Sequence, residues 1–189
     1  NQREPVWSYE TRDHIRAICL KDINDDGKYE ALIGSEDRNI HVLDHHGNLL
    51  WRYLFPHSVL CIDAVDIDRD KTCEIFVGCA DGYLYVLSSD GEYRWKYRAD
   101  DRIHSVRVAD IDNDDNFEIA LGSEDELELL RLVNQQELQT LIDQCWTALL
   151  KQQPAEAAIH DLLLLAPTDP YLQAFALSKL VQLPSFSSD

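Results

Sequence analysis

Three stretches of the chain superimpose when it is shifted by 44 residues. Trp7-Ser8-Tyr9 falls on Trp51-Arg52-Tyr53 and then on Trp95-Lys96-Tyr97, and Asp22-Ile23-Asn24 falls on Asp66-Ile67-Asp68 and Asp110-Ile111-Asp112. Glu30, Glu74 and Glu118 keep the same step, as do Gly34, Gly78 and Gly122. Such a repeat narrows the fold sharply. Each copy must be one supersecondary unit that buries its apolar faces only against its neighbours.

Within a copy the pattern resolves into four short strands, near 14–21, 30–34, 40–43 and 49–54. Ile18 and Leu20 share one face of the first strand, and Ile62/Ala64 and Val106/Val108 keep that face apolar in the later copies. His46-Gly47 and Asp90-Gly91 lie between the third and fourth strands, where a tight hairpin needs positive φ. Four antiparallel strands in 44 residues make one blade of a β-propeller. The expected fold is therefore mainly β, with three four-stranded blades over residues 1–134 and a small α-helical segment over 135–189.

The ends of the repeat carry information of their own. Residues 7–9 read as a fourth strand with no blade before it, whereas the third blade has strands near 103–109, 117–121 and 127–132 and lacks its fourth. That is the pattern of a ring closed by strands from opposite termini. Three blades are too few for a ring, which usually takes about four to eight. Either a homodimer closes a six-blade ring head to tail, or the chain is part of a longer propeller. From Gln135 the apolar period becomes helical, with Leu138, Leu141, Ile142, Cys145, Trp146 and Leu149 on one face. Pro154 and Asp169-Pro170 suit the starts of a second and third helix.

Net charge is −18, from 35 acidic and 17 basic residues, and most of the excess lies in the repeats. Such a field repels nucleic acid and anionic membranes and favours cations or basic protein surfaces. No apolar run is long enough for membrane insertion. The five cysteines (Cys19, Cys61, Cys73, Cys79 and Cys145) do not recur in register, so they read as small buried hydrophobes in a reducing compartment. The expected location is cytoplasmic, with an extracellular one the alternative for a processed fragment.

Each copy places Asp-x-[Asp/Asn]-x-Asp-x-x-x-Glu between its first and second strands. The residues are Asp22, Asn24, Asp26 and Glu30; Asp66, Asp68, Asp70 and Glu74; and Asp110, Asp112, Asp114 and Glu118. Alternate side chains at loop positions 1, 3 and 5 can turn their oxygens to one centre. Position 7 (Lys28, Thr72 and Asn116) can add a backbone carbonyl, and position 9 a carboxylate. Hard oxygen ligands in that number suit calcium, with magnesium the stricter octahedral alternative. The other reading is that the acids cap the turn through hydrogen bonds to its backbone. Gly27 at position 6 gives the first loop its turn, whereas Lys71 and Asp115 replace it in the other two. Lys71 and Arg69 also bring cations to the second cluster, making it the weakest expected site, and the third has the most acid.

The string Asp-Ile-Asn-Asp-Asp-Gly-Lys-Tyr-Glu-Ala-Leu-Ile-Gly at 22–34 resembles the FG-GAP and VCBS-type repeats, the blade type of integrin alpha heads. Ile-His-Val-Leu-Asp-His-His-Gly-Asn-Leu-Leu-Trp at 40–51 is similar to the strand-turn-Trp half of quinoprotein-like blades. The resemblance spans about residues 7–133 and implies cation-stabilised loops and a role in protein–protein contact. Glu at position 9 and the lost glycines depart from it.

The remaining candidates read as structural. Trp51 and Trp95 suit blade packing, and His45-His46 a solvated turn. Cys19, Asp63 and Arg107 are repeat-equivalent and line the inner strand face opposite Ile18. No nucleophile–base arrangement stands out. The expected function is a non-enzymatic protein-interaction or scaffold module that binds calcium-type ions, its partner a second protein or a second copy. The alternative is an enzyme or ligand sensor whose site, with Asp63 and Arg107, forms at a ring centre on assembly.

Overall fold

A computed structural model describes residues 4–132, which lie in the first of two compact units, Asn1–Leu132 and Val133–Asp189. The helices expected over 135–189 fall outside the described residues. Three antiparallel sheets follow one another along the chain. The first holds β1 (Ile15–Lys21), β2 (Glu30–Ser35), β3 (Asn39–Leu43) and β4 (Leu49–Leu54). The second holds β5 (Val59–Val65), β6 (Glu74–Cys79), β7 (Tyr83–Leu87) and β8 (Tyr93–Arg98). The third has β9 (Ser105–Ala109), β10 (Glu118–Gly122) and β11 (Leu127–Arg131). In each, consecutive strands pair in order, and the first strands β1, β5 and β9 lie beside one another where the sheets meet.

Alternation along the strands sends one set of side chains forward to the next sheet and the other back to the previous one. The forward faces of the first two sheets carry Leu32, Ile40 and Val42, then Phe76, Leu84 and Val86, all fully buried. The backward faces of the second and third sheets carry Val59, Ile62 and Ala64, then Ile103, Val106 and Val108. Two apolar clusters result, one between each pair of neighbouring sheets. Gly78 marks how close the sheets come. A Cβ there would stand 2.7 Å from Ile103 Cγ2 and also collide with Cys61 Sγ.

Tryptophan fastens the outer rim. The Trp51 indole donates to Ser89 O at 3.0 Å and lies over Gly91, whose φ of +87° turns the hairpin of the next sheet. Trp7 repeats this in the first sheet, donating to His45 O at 3.2 Å over Gly47. Tyr9 follows suit. Its hydroxyl meets His41 Nδ1 at 3.0 Å, as the Tyr97 hydroxyl meets Glu128 in the third sheet. Residues 7–9 thus take, against the first sheet, the place that β4 takes against the second, without being paired in a strand.

The 44-residue step fails in one place. Ile75 pairs with Leu87 in the second sheet, but its equivalent Ile119 pairs with Leu130, because the turn before β11 is one residue shorter. Among the described residues two apolar faces are bare. Ile18 and Leu20 are 67% and 62% exposed, where their equivalents Ile62 and Ala64 are 4% and 2%. At the other end Leu127 and Leu129, in register with Leu84 and Val86, are 74% and 56% exposed.

Gly78→Ala is expected to cost about 2 kcal/mol by urea unfolding, because the new methyl meets the side chains of two strands at once. Gly122→Ala, whose methyl would meet only the rotatable Ser105 hydroxyl, is expected to cost under about half as much. Equal losses would mean that the sheets do not approach as closely at Gly78 as described.

Candidate metal centre

All three acidic loops lie at the same end of the adjacent first strands, since each links a first strand to a second. Their internal bonding is nearly identical. The Asp at position 1 accepts the amides of positions 5 and 6: Asp26 N and Gly27 N reach Asp22 at 3.2 and 2.9 Å. Asp70 N and Lys71 N reach Asp66 at 3.2 and 3.0 Å, and Asp114 N and Asp115 N reach Asp110 at the same distances. Asn24 and Asp68 at position 3 also accept the position-5 amide, at 3.2 and 3.1 Å. Position 5 accepts the amide of position 7, so Lys28, Thr72 and Asn116 bond back to Asp26, Asp70 and Asp114 at 2.7–2.9 Å. The capping role expected of these acids is therefore present in every loop.

The turn demands left-handed backbone at two positions. Position 4 has φ of 58°, 63° and 59° (Asp25, Arg69 and Asn113), and position 6 has 81°, 77° and 70° (Gly27, Lys71 and Asp115). Asp and Asn visit this region readily, whereas Arg69 and Lys71 are held there at about 1–3 kcal/mol each. The lost glycine at position 6 thus changes the strain and leaves the loop shape intact. The requirement at position 4 was not legible in the repeat, because Asp, Arg and Asn have no side-chain property in common.

The position-9 glutamates buttress the loops from below. Glu30, Glu74 and Glu118 accept the amides of Ile23, Ile67 and Ile111 at 3.1, 3.2 and 3.1 Å. Glu30 and Glu118 are buried. Burial pushes the Glu30 and Glu74 carboxyls above their ordinary range, with the neighbouring aspartates adding to the effect. The Thr72 side chain holds Asp70 below its range, and the Asn116 amide does so for Asp114.

Carboxylate oxygens converge in two loops. One oxygen from each of Asp66, Asp68 and Asp70 lies within 4.8 Å of the others, and likewise for Asp110, Asp112 and Glu118. In the first loop the amide of Asn24 takes the place of one carboxylate. A cleft of about 350 Å³ between the first two loops is lined by Asp22, Asp25, Asp66 and Lys71. The cations of the second loop do not face their own cluster. Lys71 Nζ reaches Asp25 of the first loop at 2.9 Å, and Arg69 reaches Asp115 of the third at 2.6 Å. Exposed ion pairs of this kind add little to stability, because water and salt screen them. They order the three loops more than they stabilise them. A third converging set, Asp13, His14 and Glu36, sits by the starts of β1 and β3, with Arg16 already bonded to Glu36.

Cys19, Asp63 and Arg107 do fall in one row. Asp63 spends its oxygens on the amides of Ala64 and Val108, at 3.0 and 2.9 Å, and Arg107 lies 3.9 Å away. Burial raises the Cys19 thiol, and Cys61 is pushed up to about 12. These thiols stay protonated at neutral pH and are poor nucleophiles.

A family model described as the lambda-carrageenase β-propeller domain matches residues 54–130. No curated protein matches the chain. Among solved structures, BamB from Moraxella catarrhalis is similar at 20% identity and a TM-score of 0.48, over 67% of this chain and 36% of that one. The chain thus spans little more than a third of that relative. The sheets described above are β-propeller blades.

The raised Glu74 pKa gives the metal-free loops one component of their pH dependence. The protonated form is favoured on folding, so the contribution is complete below the ordinary Glu value of 4.5 and is lost as pH rises through the folded-state value. In chelator, stability is therefore expected to fall as pH rises above 4.5 by a component that Glu74→Gln abolishes. A variant whose pH profile parallels the wild type would contradict this.

Proposed function

We propose that the chain is a non-enzymatic interaction module, a β-propeller segment whose acidic loops hold calcium-type cations and whose bare sheet faces take further protein. The observation that carries the reading is the threefold loop. Each copy gathers carboxylates about one turn, at one end of the arc, and already orders that turn through its own amides. An ion entering such a loop meets preorganised oxygens and relieves repulsion among like charges. Oxygen-only ligands, carboxylates together with backbone carbonyls, favour calcium over magnesium. The aspartate spacing of the three loops supports the FG-GAP/VCBS type, from which the glutamate at position 9 and the lost glycines depart.

The two bare faces support the interaction role. Ile15, Ile18 and Leu20 forgo roughly 1–2 kcal/mol each of burial that the other blades realise. A second copy placed head to tail would set its Leu127 and Leu129 against this face, continuing the blade-to-blade packing and closing six blades into a ring. The unpaired thiols of Cys61, Cys73 and Cys79 sit in the core and accord with a reducing, cytoplasmic setting.

Asp68→Asn isolates the cation component, because the amide oxygen still accepts the Asp70 amide. Calcium is expected to raise the melting temperature of the wild type by several degrees. The variant should lose part of that gain and melt like the wild type in chelator. Identical calcium responses, or none in either protein, would remove the cation from the reading.

A further inference from the structure

The third loop differs from the other two in holding a guanidinium in hydrogen-bond contact with three of its carboxylates, whereas in the first loop Lys28 only approaches Asp26, at 3.9 Å. Arg131, the last residue of β11, lays its guanidinium among the loop carboxylates. Nη2 stands 2.7 Å from Asp112 Oδ2 and 2.8 Å from Asp114 Oδ2, and Nε lies 3.2 Å from Glu118 Oε1. Two of these residues, Asp112 and Glu118, belong to the converging set of that loop. The arginine therefore touches loop positions 3, 5 and 9, which are carboxylates in the second loop as well.

Its presence follows from the register of β11. Ala31 pairs with Leu43, Ile75 with Leu87 and Ile119 with Leu130, so Arg131 stands where the earlier blades have Asp44 and Ser88. Those two residues turn into the hairpin before the fourth strand. Asp44 accepts the His46 and Asn48 amides at 2.9 and 2.8 Å, and Ser88 Oγ accepts the Glu92 amide at 3.0 Å. At position 131 the side chain instead extends along the end of β10 to the loop.

We infer that Arg131 is the built-in counter-cation of the third loop, filling the place an ion would take and confining metal binding to the first two loops. A planar guanidinium satisfies several carboxylate oxygens in fixed directions and stays charged at any physiological pH. It is tethered, so its effective concentration exceeds that of free calcium, and a metal must displace it to enter. The third loop thereby has its charge balanced without metal, while the other two leave their carboxylates to an ion. The inference rests on the proposed cation binding for its contrast between loops.

Equilibrium dialysis of the full chain against calcium tests it, with Arg131→Ser, Arg131→Gln and Arg131→Lys beside the wild type. The wild type is expected to hold at most two ions, the Ser and Gln variants one more than the wild type, and the Lys variant no more than the wild type. In chelator the neutral variants should melt lower than the wild type, and calcium should restore them. The Gln variant, longer and able to hydrogen-bond, keeps the comparison if Arg131→Ser does not fold. Neutral variants that hold no additional ion overturn the inference, and ions in the wild type would then leave the reading of the first two loops standing. A wild type without calcium beside neutral variants with one ion would uphold the inference and defeat that reading.

Discussion

A four-stranded blade has two apolar faces and can bury both only between two other sheets. That constraint governs the rest of the molecule. It explains why the inner strands alternate Ile62/Ala64 with Cys61/Asp63, why Gly78 has no room for a methyl group, and why Trp7 and Trp51 lie over glycines of the next hairpin. It also explains what is left over. The middle blade has both faces covered, and the outer two each keep one apolar face open. Residues 7–9 cover the outer half of the first blade's open face, through Tyr9 against Ala31, Ile33 and Leu43, and leave Ile18 and Leu20 bare.

The acidic loops use the same scaffold differently. They are brought side by side only because the first strands of successive blades are neighbours. Side by side, like charges would repel, and the chain meets this in three ways. Position-1 aspartates are solvated by backbone amides within the turn. Arg69 and Lys71 bridge to the flanking loops, and Arg131 enters the third loop itself. The second loop, short of a glycine and rich in cations, thus serves its neighbours, and its own carboxylates converge with no cation among them.

Much of this was legible in the sequence. Strand positions follow from alternation, and the hairpins from His46-Gly47 and Asp90-Gly91. The loop carboxylates follow from their spacing, and the residues named from it do occupy the loops, with positions 3, 5 and 9 of the third brought to one guanidinium. Three features were hidden. The one-residue shortening before β11 leaves the strand pattern Leu-Glu-Leu-Leu plausible in either register. The position-4 φ requirement is met by residues of unlike chemistry. Salt bridges between residues 46 apart in neighbouring loops depend on how blades are set against one another, which no single repeat encodes.

Light scattering across a concentration series in millimolar calcium tests the interaction role most directly, comparing the wild type with Ile18→Asp/Leu20→Asp. Open blade faces predict a wild-type mass that rises above the 21.8 kDa of one chain towards twice that value. The variant should stay at a single chain and, at concentrations where the wild type is also one chain, melt at the wild-type temperature. A wild type that remains one chain at the highest concentration, matched by the variant, would contradict the account.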